Sequence, residues 1–204
     1  MSLPQQAVPG LPIPLTPMIG RRREVEEVVA LLRDDGVRLL TLIGSGGVGK
    51  TRLAAAVATV VADDFADGVV GVPLGAITDP SLAISSIAQA LGIREERDQP
   101  LARQIAMVLS QKHLLLLLDG LEGVAHDGAL LTALLNDCPR LKILVTSRVV
   151  LHLSAEHLFD VLPLTHTPAE AETADSSGCA DAVELFVQRA RAAGSSFRLT
   201  AENA

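Results

Sequence analysis

A short glycine-rich segment constrains this chain more than any other feature of its sequence. Residues 44–51 read Gly-Ser-Gly-Gly-Val-Gly-Lys-Thr and fit the spacing G-x-x-x-x-G-K-[ST]. An apolar run with the length of a buried strand, 37–43, precedes the segment, and a helical pattern over 53–62 follows it. Because glycines let the backbone wrap closely, successive N–H groups can converge on one anion at the positive end of the following helix. The sequence therefore predicts a strand, a phosphate-binding loop and a helix, in this order.

The last residues of the motif supply a positive charge and a metal ligand. Lys50 is expected to reach the β- and γ-phosphates of a nucleotide, and the Thr51 hydroxyl to hold Mg²⁺. The chain has three lysines, which makes a chance match at this position rarer; a tight glycine turn without a ligand is the alternative. The predicted binding residues are Gly44, Ser45, Gly46, Gly47, Val48, Gly49, Lys50, Thr51 and Arg52.

Strand and helix patterns alternate along the chain. Further strands are predicted at 69–74, 114–118, 141–145 and 158–164. Apolar residues at helical spacing predict helices around 25–32, 84–91, 101–108, 128–137 and 182–190, with Gly36, Gly92 and Gly194 as helix ends. Most strands lack a polar face, as they do when helices cover both faces of a parallel sheet. The sequence therefore predicts an α/β fold, with a five-stranded, mainly parallel sheet and helices on both faces.

Two acidic residues follow the third predicted strand. The run 114–118 delivers Asp119 to the carboxyl end of a buried strand, where it could bind Mg²⁺ directly or through water. Without a phosphate loop, an aspartate capping the turn before Gly120 would be the better interpretation. Glu122 could orient or deprotonate an attacking water, and a solvated turn residue is the equally consistent alternative.

An arginine follows the fourth predicted strand, in the run Thr146-Ser147-Arg148. At the end of that strand Arg148 would project toward a γ-phosphate and could sense it or stabilise charge in the transition state. The alternative is an ordinary surface arginine. The predicted catalytic residues are Lys50, Asp119, Glu122 and Arg148, and the predicted metal ligands are Thr51 and Asp119.

Composition argues against several classes of function. The 17 Lys and Arg against 24 Asp and Glu give a formal charge of −7, which disfavours nucleic acid binding through a positive field. The one tight basic cluster, 21–23, runs directly into glutamates, so no direct nucleic acid contact is expected. No apolar run approaches the roughly 20 residues that cross a bilayer, so no membrane contact is expected. Two cysteines without a CxxC pair, and the absence of a basic and then apolar leader, favour a cytoplasmic location.

The first seventeen residues carry five prolines, which oppose both helix and central strand. They are expected to form an extended arm or linker. Up to residue 14 the arm could be loose or docked; its apolar end, 15–19, is expected to dock.

Together with these elements, residues 19–24 (Ile-Gly-Arg-Arg-Arg-Glu) point to a known family. The chain resembles the STAND class of signal-transduction ATPases, and more narrowly the NB-ARC/AP-ATPase-type nucleotide-binding domain of large bacterial transcriptional regulators. Gly20, Arg21 and Glu24 match the family's G-R-x-x-E box. In the family this box lies over the adenine and ribose, and the backbone just before it meets the base. The resemblance therefore adds Ile19, Gly20 and Arg21 to the expected nucleotide-binding residues.

The resemblance covers roughly residue 15 to the end of the chain and implies ligands, topology and partners. It implies a P-loop NTPase with the ASCE-type strand order 5-1-4-3-2, ATP or ADP with Mg²⁺ as ligands, slow hydrolysis and a nucleotide-dependent oligomer. Arg148 resembles the family's sensor 1, and 161–164 resembles the segment that leads into the helical subdomain. The implied division is a proline-rich arm (1–17), a nucleotide-binding domain (18–175) and the start of a helical subdomain (176–204).

Two departures from the family pattern stand out. Many members have a second acidic or amide residue directly after the strand-end aspartate, whereas this chain has Gly120, which leaves Glu122 as the nearest substitute. The sequence also reaches Ala204 before the family's Gly-Leu-Pro-Leu motif and winged-helix subdomain. We therefore expect a fragment or a truncated gene product, whose downstream helical, winged-helix and repeat domains are absent from this chain.

The leading hypothesis is a regulatory switch that binds ATP–Mg²⁺ and hydrolyses it slowly. A P-loop ATPase motor or a small-molecule kinase is the alternative, although the one candidate for a kinase lid, 92–99, has the mixed charges of a solvated loop. A GTPase would usually carry Asn-Lys-x-Asp, and neither Asn136 nor Asn203 precedes a lysine. The intact Lys50, Thr51 and Asp119 argue against a pure interaction module.

Overall fold

One five-stranded sheet lies at the centre of the fold, and every neighbouring pair of its strands is parallel. The computed structural model describes residues 10, 11, 16, 18–96, 98–123, 128–164 and 181–192. The strands are β1 (Leu39–Ile43), β2 (Val69–Pro73), β3 (Leu115–Asp119), β4 (Lys142–Ser147) and β5 (Glu156–Asp160). Their order across the sheet is β2-β3-β4-β1-β5. The predicted parallel sheet and the implied strand order are thus confirmed.

Six α-helices are described, and five of them cover the sheet. They are α1 (Arg22–Arg33), α2 (Lys50–Val60), α3 (Pro80–Ala90), α4 (Leu101–Leu109), α5 (Ala129–Asp137) and α6 (Asp181–Ala192). Strand side chains alternate between two core layers: Leu40 and Leu42 pack with α1 and α2, while Leu116 and Leu118 pack with α3, α4 and α5. Helices therefore cover both faces, as predicted. None of the helices in the described ranges is long and apolar enough to cross a membrane.

The local patterns that predicted the first and third helices are confirmed. In α1 the buried residues are Val25, Val28, Val29 and Leu32, the four whose spacing predicted it. Asp79 caps α3 ahead of Pro80: its carboxylate accepts hydrogen bonds from the N–H and the hydroxyl of Ser81, which lower its pKa.

Several element boundaries differ from the prediction by a few residues, and three of the differences have a clear physical reason. The α1 helix ends at Arg33, before Gly36, because the Asp34 carboxylate turns to accept the Gly36 N–H. The α2 helix starts at Lys50 rather than residue 53, since apolar spacing detects only its buried side. The β5 strand lies at 156–160 rather than 158–164, because its parallel register with β1 ends where Ile43 pairs with Asp160.

Only part of the predicted arm lies among the described residues. Leu11 is buried in the core, the Thr16 carbonyl accepts a hydrogen bond from Arg52, and Met18 packs against the core. These contacts agree with docking of the end of the arm. Residues 1–9, 12–15 and 17, the segment 165–180 and the predicted helix end at Gly194 lie outside the described residues, so the division at residue 175 stays a prediction.

The parallel topology places the functional candidates at one edge of the sheet. The carboxyl ends of all five strands meet there, and the register aligns Ile43 with Ser147 and Asp119 with Thr146. The glycine-rich loop leaves β1 at this edge. In open α/β sheets, ligands bind at the carboxyl ends of the strands.

Candidate functional site

The glycine-rich loop connects β1 to α2 and curves around the side chain of Lys50. This lysine is the first residue of α2 and is only 9% exposed. Its Nζ donates hydrogen bonds to the carbonyl oxygens of Gly44, at 2.8 Å, and Ser45, at 3.0 Å. A Cβ added to Gly44 would lie 2.6 Å from the Val161 carbonyl oxygen, so the loop passes that backbone too closely for any larger residue. The ammonium group is thus held within the loop rather than in an apolar contact.

The carboxylate of Asp119 joins α2 to β3 and β4 through one of its oxygens. The Thr51 hydroxyl donates to Asp119 Oδ1 at 2.7 Å, and the Thr146 hydroxyl donates to the same oxygen at 2.7 Å. Thr146 is in turn held by the backbone, because its Oγ1 accepts the Gly120 N–H at 2.9 Å. The structure therefore places Thr51 and Asp119, the two predicted metal ligands, in direct contact.

Thr146 is the residue of this cluster that the sequence prediction missed. It was noted only as part of the run before Arg148, although it is 1% exposed and orients the strand-end carboxylate. The signal that could have identified Thr146 is a hydroxyl residue near the end of a buried strand, since a buried hydroxyl needs a hydrogen-bond partner.

The position directly after Asp119 has a structural reason to be glycine. Its φ is +80°, and an added Cβ would lie 2.6 Å from the Cα of Gly75. An acidic side chain at this position would therefore need both a strained backbone and a shift of the neighbouring chain. The next carboxylate along the chain after Asp119 is that of Glu122, in the short 3₁₀ turn 121–123.

Replacing Gly120 by alanine is expected to destabilise the fold more than the same change at Gly68. Both glycines have φ near +80°, which costs alanine about 1–2 kcal/mol. A Cβ at Gly68 meets no atom within 4 Å, whereas a Cβ at Gly120 meets backbone. We expect the Gly120→Ala loss in the free energy of unfolding, measured in urea, to be at least about twice the Gly68→Ala loss. Equal losses would mean that the Gly75 backbone moves aside without cost.

Arg148 and Glu122 meet beside the glycine-rich loop. Arg148 Nε lies 3.1 Å from Glu122 Oε1, and the guanidinium is 3.5 Å from the position a Cβ would take on Gly46. Arg148 is 64% exposed and Glu122 26%. Among the described residues, the second carboxylate oxygen of Glu122 is buried without a hydrogen-bond partner. Glu122 and Arg148, two of the four predicted catalytic residues, thus form one ion pair at the edge of the loop.

The G-R-x-x-E box lies behind the loop, and its arginine faces the protein. Arg21 is 6% exposed and donates to Glu24 Oε1 at 2.7 Å, to the Val48 carbonyl at 3.0 Å and to the Leu162 carbonyl at 2.6 Å. Gly20 has φ +68° and lies against the side chain of Asp181, at the start of α6. The contacts of Ile19, Gly20 and Arg21 with adenine stay a prediction.

Arg52, the last of the predicted binding residues, points toward the arm. Its Nη2 donates to the Thr16 carbonyl at 2.8 Å. Burial lowers the pKa of this guanidinium, and the nearby positive charge of Arg189 on α6 lowers it further. A role of Arg52 in nucleotide binding also stays a prediction.

Known proteins resemble this chain in sequence and in fold. A family model described as the NB-ARC domain matches residues 21–155. The uncharacterized protein Rv0894 of Mycobacterium tuberculosis is 35% identical over 191 residues, which cover 93% of this chain and 45% of the relative. Regulatory protein AfsR of Streptomyces griseus is 33% identical over 163 residues, which cover 74% of this chain and 16% of the relative. The chain thus spans less than half the length of either relative.

Among solved structures, Cdc6p from Pyrobaculum aerophilum is similar with a TM-score of 0.63 and 18% identity, over 89% of this chain and 52% of that chain. A structural similarity at this low sequence identity is evidence for the fold alone. The NB-ARC match extends from Arg21, the arginine of the box, to residue 155, directly before β5, and it includes the glycine-rich loop, Asp119 and Arg148. The chain therefore belongs to the NB-ARC family and has the fold of a P-loop NTPase.

Proposed function

We propose that this chain is a nucleotide-dependent switch domain, which binds ATP or ADP with Mg²⁺ in the loop 44–51 and hydrolyses ATP slowly. The observation that carries the proposal is the 2.7 Å hydrogen bond between Asp119 and Thr51, the residue that follows the loop-bound Lys50. It brings the hydroxyl that follows the glycine-rich loop and the carboxylate from β3 to one point at the carboxyl edge of the sheet.

The polyphosphate is held by backbone N–H groups of the loop, the positive end of α2 and the Lys50 ammonium. Hydroxyl and carboxylate oxygens are ligands that Mg²⁺ prefers, so Thr51 and Asp119 are the groups that would hold it. The hydroxyls of Thr51 and Thr146 both donate to Oδ1 of Asp119, and these bonds orient the carboxylate that would hold the ion. The bound ion would supply charge neutralisation between the phosphates.

Arg148 and Glu122 are proposed to act on the γ-phosphate and the attacking water. A γ-phosphate beside Gly46 would compete with Glu122 for the Arg148 guanidinium, because both are anions within its reach. Glu122, released from that ion pair, would accept a hydrogen bond from water. With glycine at position 120, no second carboxylate adjoins Asp119 to do this more directly.

Slow turnover is the expected outcome of this arrangement. The steady-state release of phosphate from ATP should be at or below about 1 s⁻¹, the low end of enzyme rates. The measurement is a coupled phosphate-release assay with and without Mg²⁺. A fast rate from this chain would favour the motor or small-molecule kinase.

Arg148→Ala is expected to weaken ATP binding more than ADP binding, because only ATP presents a γ-phosphate to the guanidinium. One lost charged hydrogen bond corresponds to roughly tenfold in the ATP dissociation constant. Titration calorimetry with both nucleotides measures the difference. Arg140→Ala is the matched control, since Arg140 precedes β4 at the opposite edge of the sheet and bonds the Gln111 carbonyl. Equal losses for ATP and ADP would remove the sensor role of Arg148.

The regulatory part of the proposal is that nucleotide exchange shifts the position of later segments of the protein, in a cytoplasmic signalling pathway. It rests on the family and on the name of the relative AfsR, a regulatory protein. We propose the division into a nucleotide-binding domain (18–175) and a helical subdomain that begins at 176–204, with winged-helix and repeat domains as downstream partners and a nucleotide-dependent oligomer. A nucleotide can bias such a pair of states only by its differential affinity for them.

A further inference from the structure

The buried guanidinium of Arg21 ties together three segments that are distant in sequence. Its Nη1 bonds Glu24 in α1, and its Nη2 bonds both the Val48 carbonyl, 27 residues away, and the Leu162 carbonyl, 141 residues away. Burial of an arginine is costly unless its donors are satisfied, and bonds from a charged donor are stronger than neutral ones. The hydrogen bonds of Arg21 therefore restrict the positions of the Val48 and Leu162 carbonyls.

Val48 lies in the glycine-rich loop, and its carbonyl belongs to the same peptide unit as the N–H of Gly49. In a planar trans peptide the carbonyl and the N–H point in opposite directions. Because Arg21 holds the Val48 carbonyl, the Gly49 N–H points away from the guanidinium. The hydrogen bond from the positively charged guanidinium to the Val48 carbonyl also polarises the peptide and makes the Gly49 N–H a stronger donor.

Leu162 belongs to the exit segment, residues 161–164, which follows β5. This segment also contacts the end of β1 and the start of the loop: the Val161 N–H donates to the carbonyl of Ile43, the last residue of β1, at 2.8 Å, and the Val161 carbonyl lies against Gly44. The exit segment therefore contacts the start of the glycine-rich loop directly and is joined to Val48, later in the loop, through Arg21.

We propose that Arg21 is a positioning residue that orients the Val48–Gly49 peptide toward the polyphosphate and couples the loop to the exit segment. This rests on the proposed function, since it assumes that the loop binds a polyphosphate. It differs from a contact of Arg21 with adenine or ribose, because the guanidinium acts here on the phosphate side, through the backbone.

Inorganic tripolyphosphate, which has neither base nor sugar, separates these two roles. Calorimetric titrations with ATP and with tripolyphosphate would compare the wild-type chain with Arg21→Ala and Arg21→Lys. We expect both variants to bind the two ligands about tenfold more weakly, by the same factor for each ligand, because one charge-assisted contact with the loop is lost or misplaced. Arg22→Ala, which changes the exposed neighbour, should bind like wild type.

Hydrogen exchange supplies a readout that a merely structural role would not move. In the wild-type chain, tripolyphosphate should slow exchange at the loop and at the Val161 amide of the exit segment. Arg21→Lys keeps a positive charge at this buried position and serves for the measurement if Arg21→Ala does not fold. In Arg21→Lys, saturating tripolyphosphate should still slow hydrogen exchange in the loop but no longer in the exit segment.

The outcomes separate the two proposals. If wild type binds neither ligand, the proposed function fails and this inference fails with it. If wild type binds both ligands, two results would overturn only the positioning role. One is that the Arg21 variants bind ATP more weakly but bind tripolyphosphate like wild type, and the other is that tripolyphosphate still slows hydrogen exchange in their exit segment.

Discussion

Lys50→Ala is expected to abolish measurable ATP binding while the chain stays folded. Lys50 is 9% exposed, and its ammonium lies within hydrogen-bond distance of two carbonyls of the glycine-rich loop, where a bound polyphosphate would meet it. Removing this charge should weaken ATP by at least about 100-fold, near 2.8 kcal/mol. Titration calorimetry measures the affinity, and circular dichroism with a thermal melt measures the fold.

Lys142→Ala is a closely matched control for this experiment. Lys142 is half-buried, its Nζ, like that of Lys50, donates to two backbone carbonyls, here those of Leu32 and Asp34, and burial lowers its pKa. It stands at the start of β4, at the edge of the sheet opposite the glycine-rich loop. Its loss should lower stability without changing ATP affinity. If Lys50→Ala binds ATP like wild type, the nucleotide site lies elsewhere.

Asp119→Asn should remove the effect of Mg²⁺ on ATP affinity. The asparagine oxygen can still accept the hydroxyls of Thr51 and Thr146, so the local fold is kept, but the negative charge that would attract the cation is lost. In wild type we expect Mg²⁺ to lower the ATP dissociation constant by roughly 10- to 100-fold, and in the variant to change this constant little.

The measurement is the ATP dissociation constant in Mg²⁺ and in a chelator, for both proteins. Asp160→Asn is the control, because it removes an exposed carboxylate at the end of β5, on the same edge of the sheet. If Mg²⁺ lowers the ATP dissociation constant of Asp119→Asn as much as that of wild type, this carboxylate does not bind the metal.

The sequence predicted the parts of this site that depend on local pattern. Glycine spacing, a strand before the loop and a helix after it identify residues 44–51 without any knowledge of distant contacts. An apolar strand that ends in an aspartate places Asp119 at the same edge, because the carboxyl ends of parallel strands coincide. The meeting of Thr51 and Asp119 therefore follows from pattern and topology together.

The parts that were missed depend on contacts between distant segments. The start of β5 follows from its register with β1, which no local pattern contains. The need for glycine at position 120 comes from Gly75, on a neighbouring connection of the sheet. The backbone contacts of Arg21 could not be predicted locally either, because the two carbonyls that it bonds lie 27 and 141 residues away. A charged residue in a sequence motif can face a ligand or the protein, and only the tertiary fold distinguishes the two.

The most direct test of the account is a calorimetric titration of the folded wild-type chain with ATP and Mg²⁺, repeated on Lys50→Ala. The account predicts saturable binding at one site in wild type and its loss in the variant. The absence of binding heat at millimolar ATP from well-folded wild-type protein, or an unchanged titration in Lys50→Ala, would contradict it.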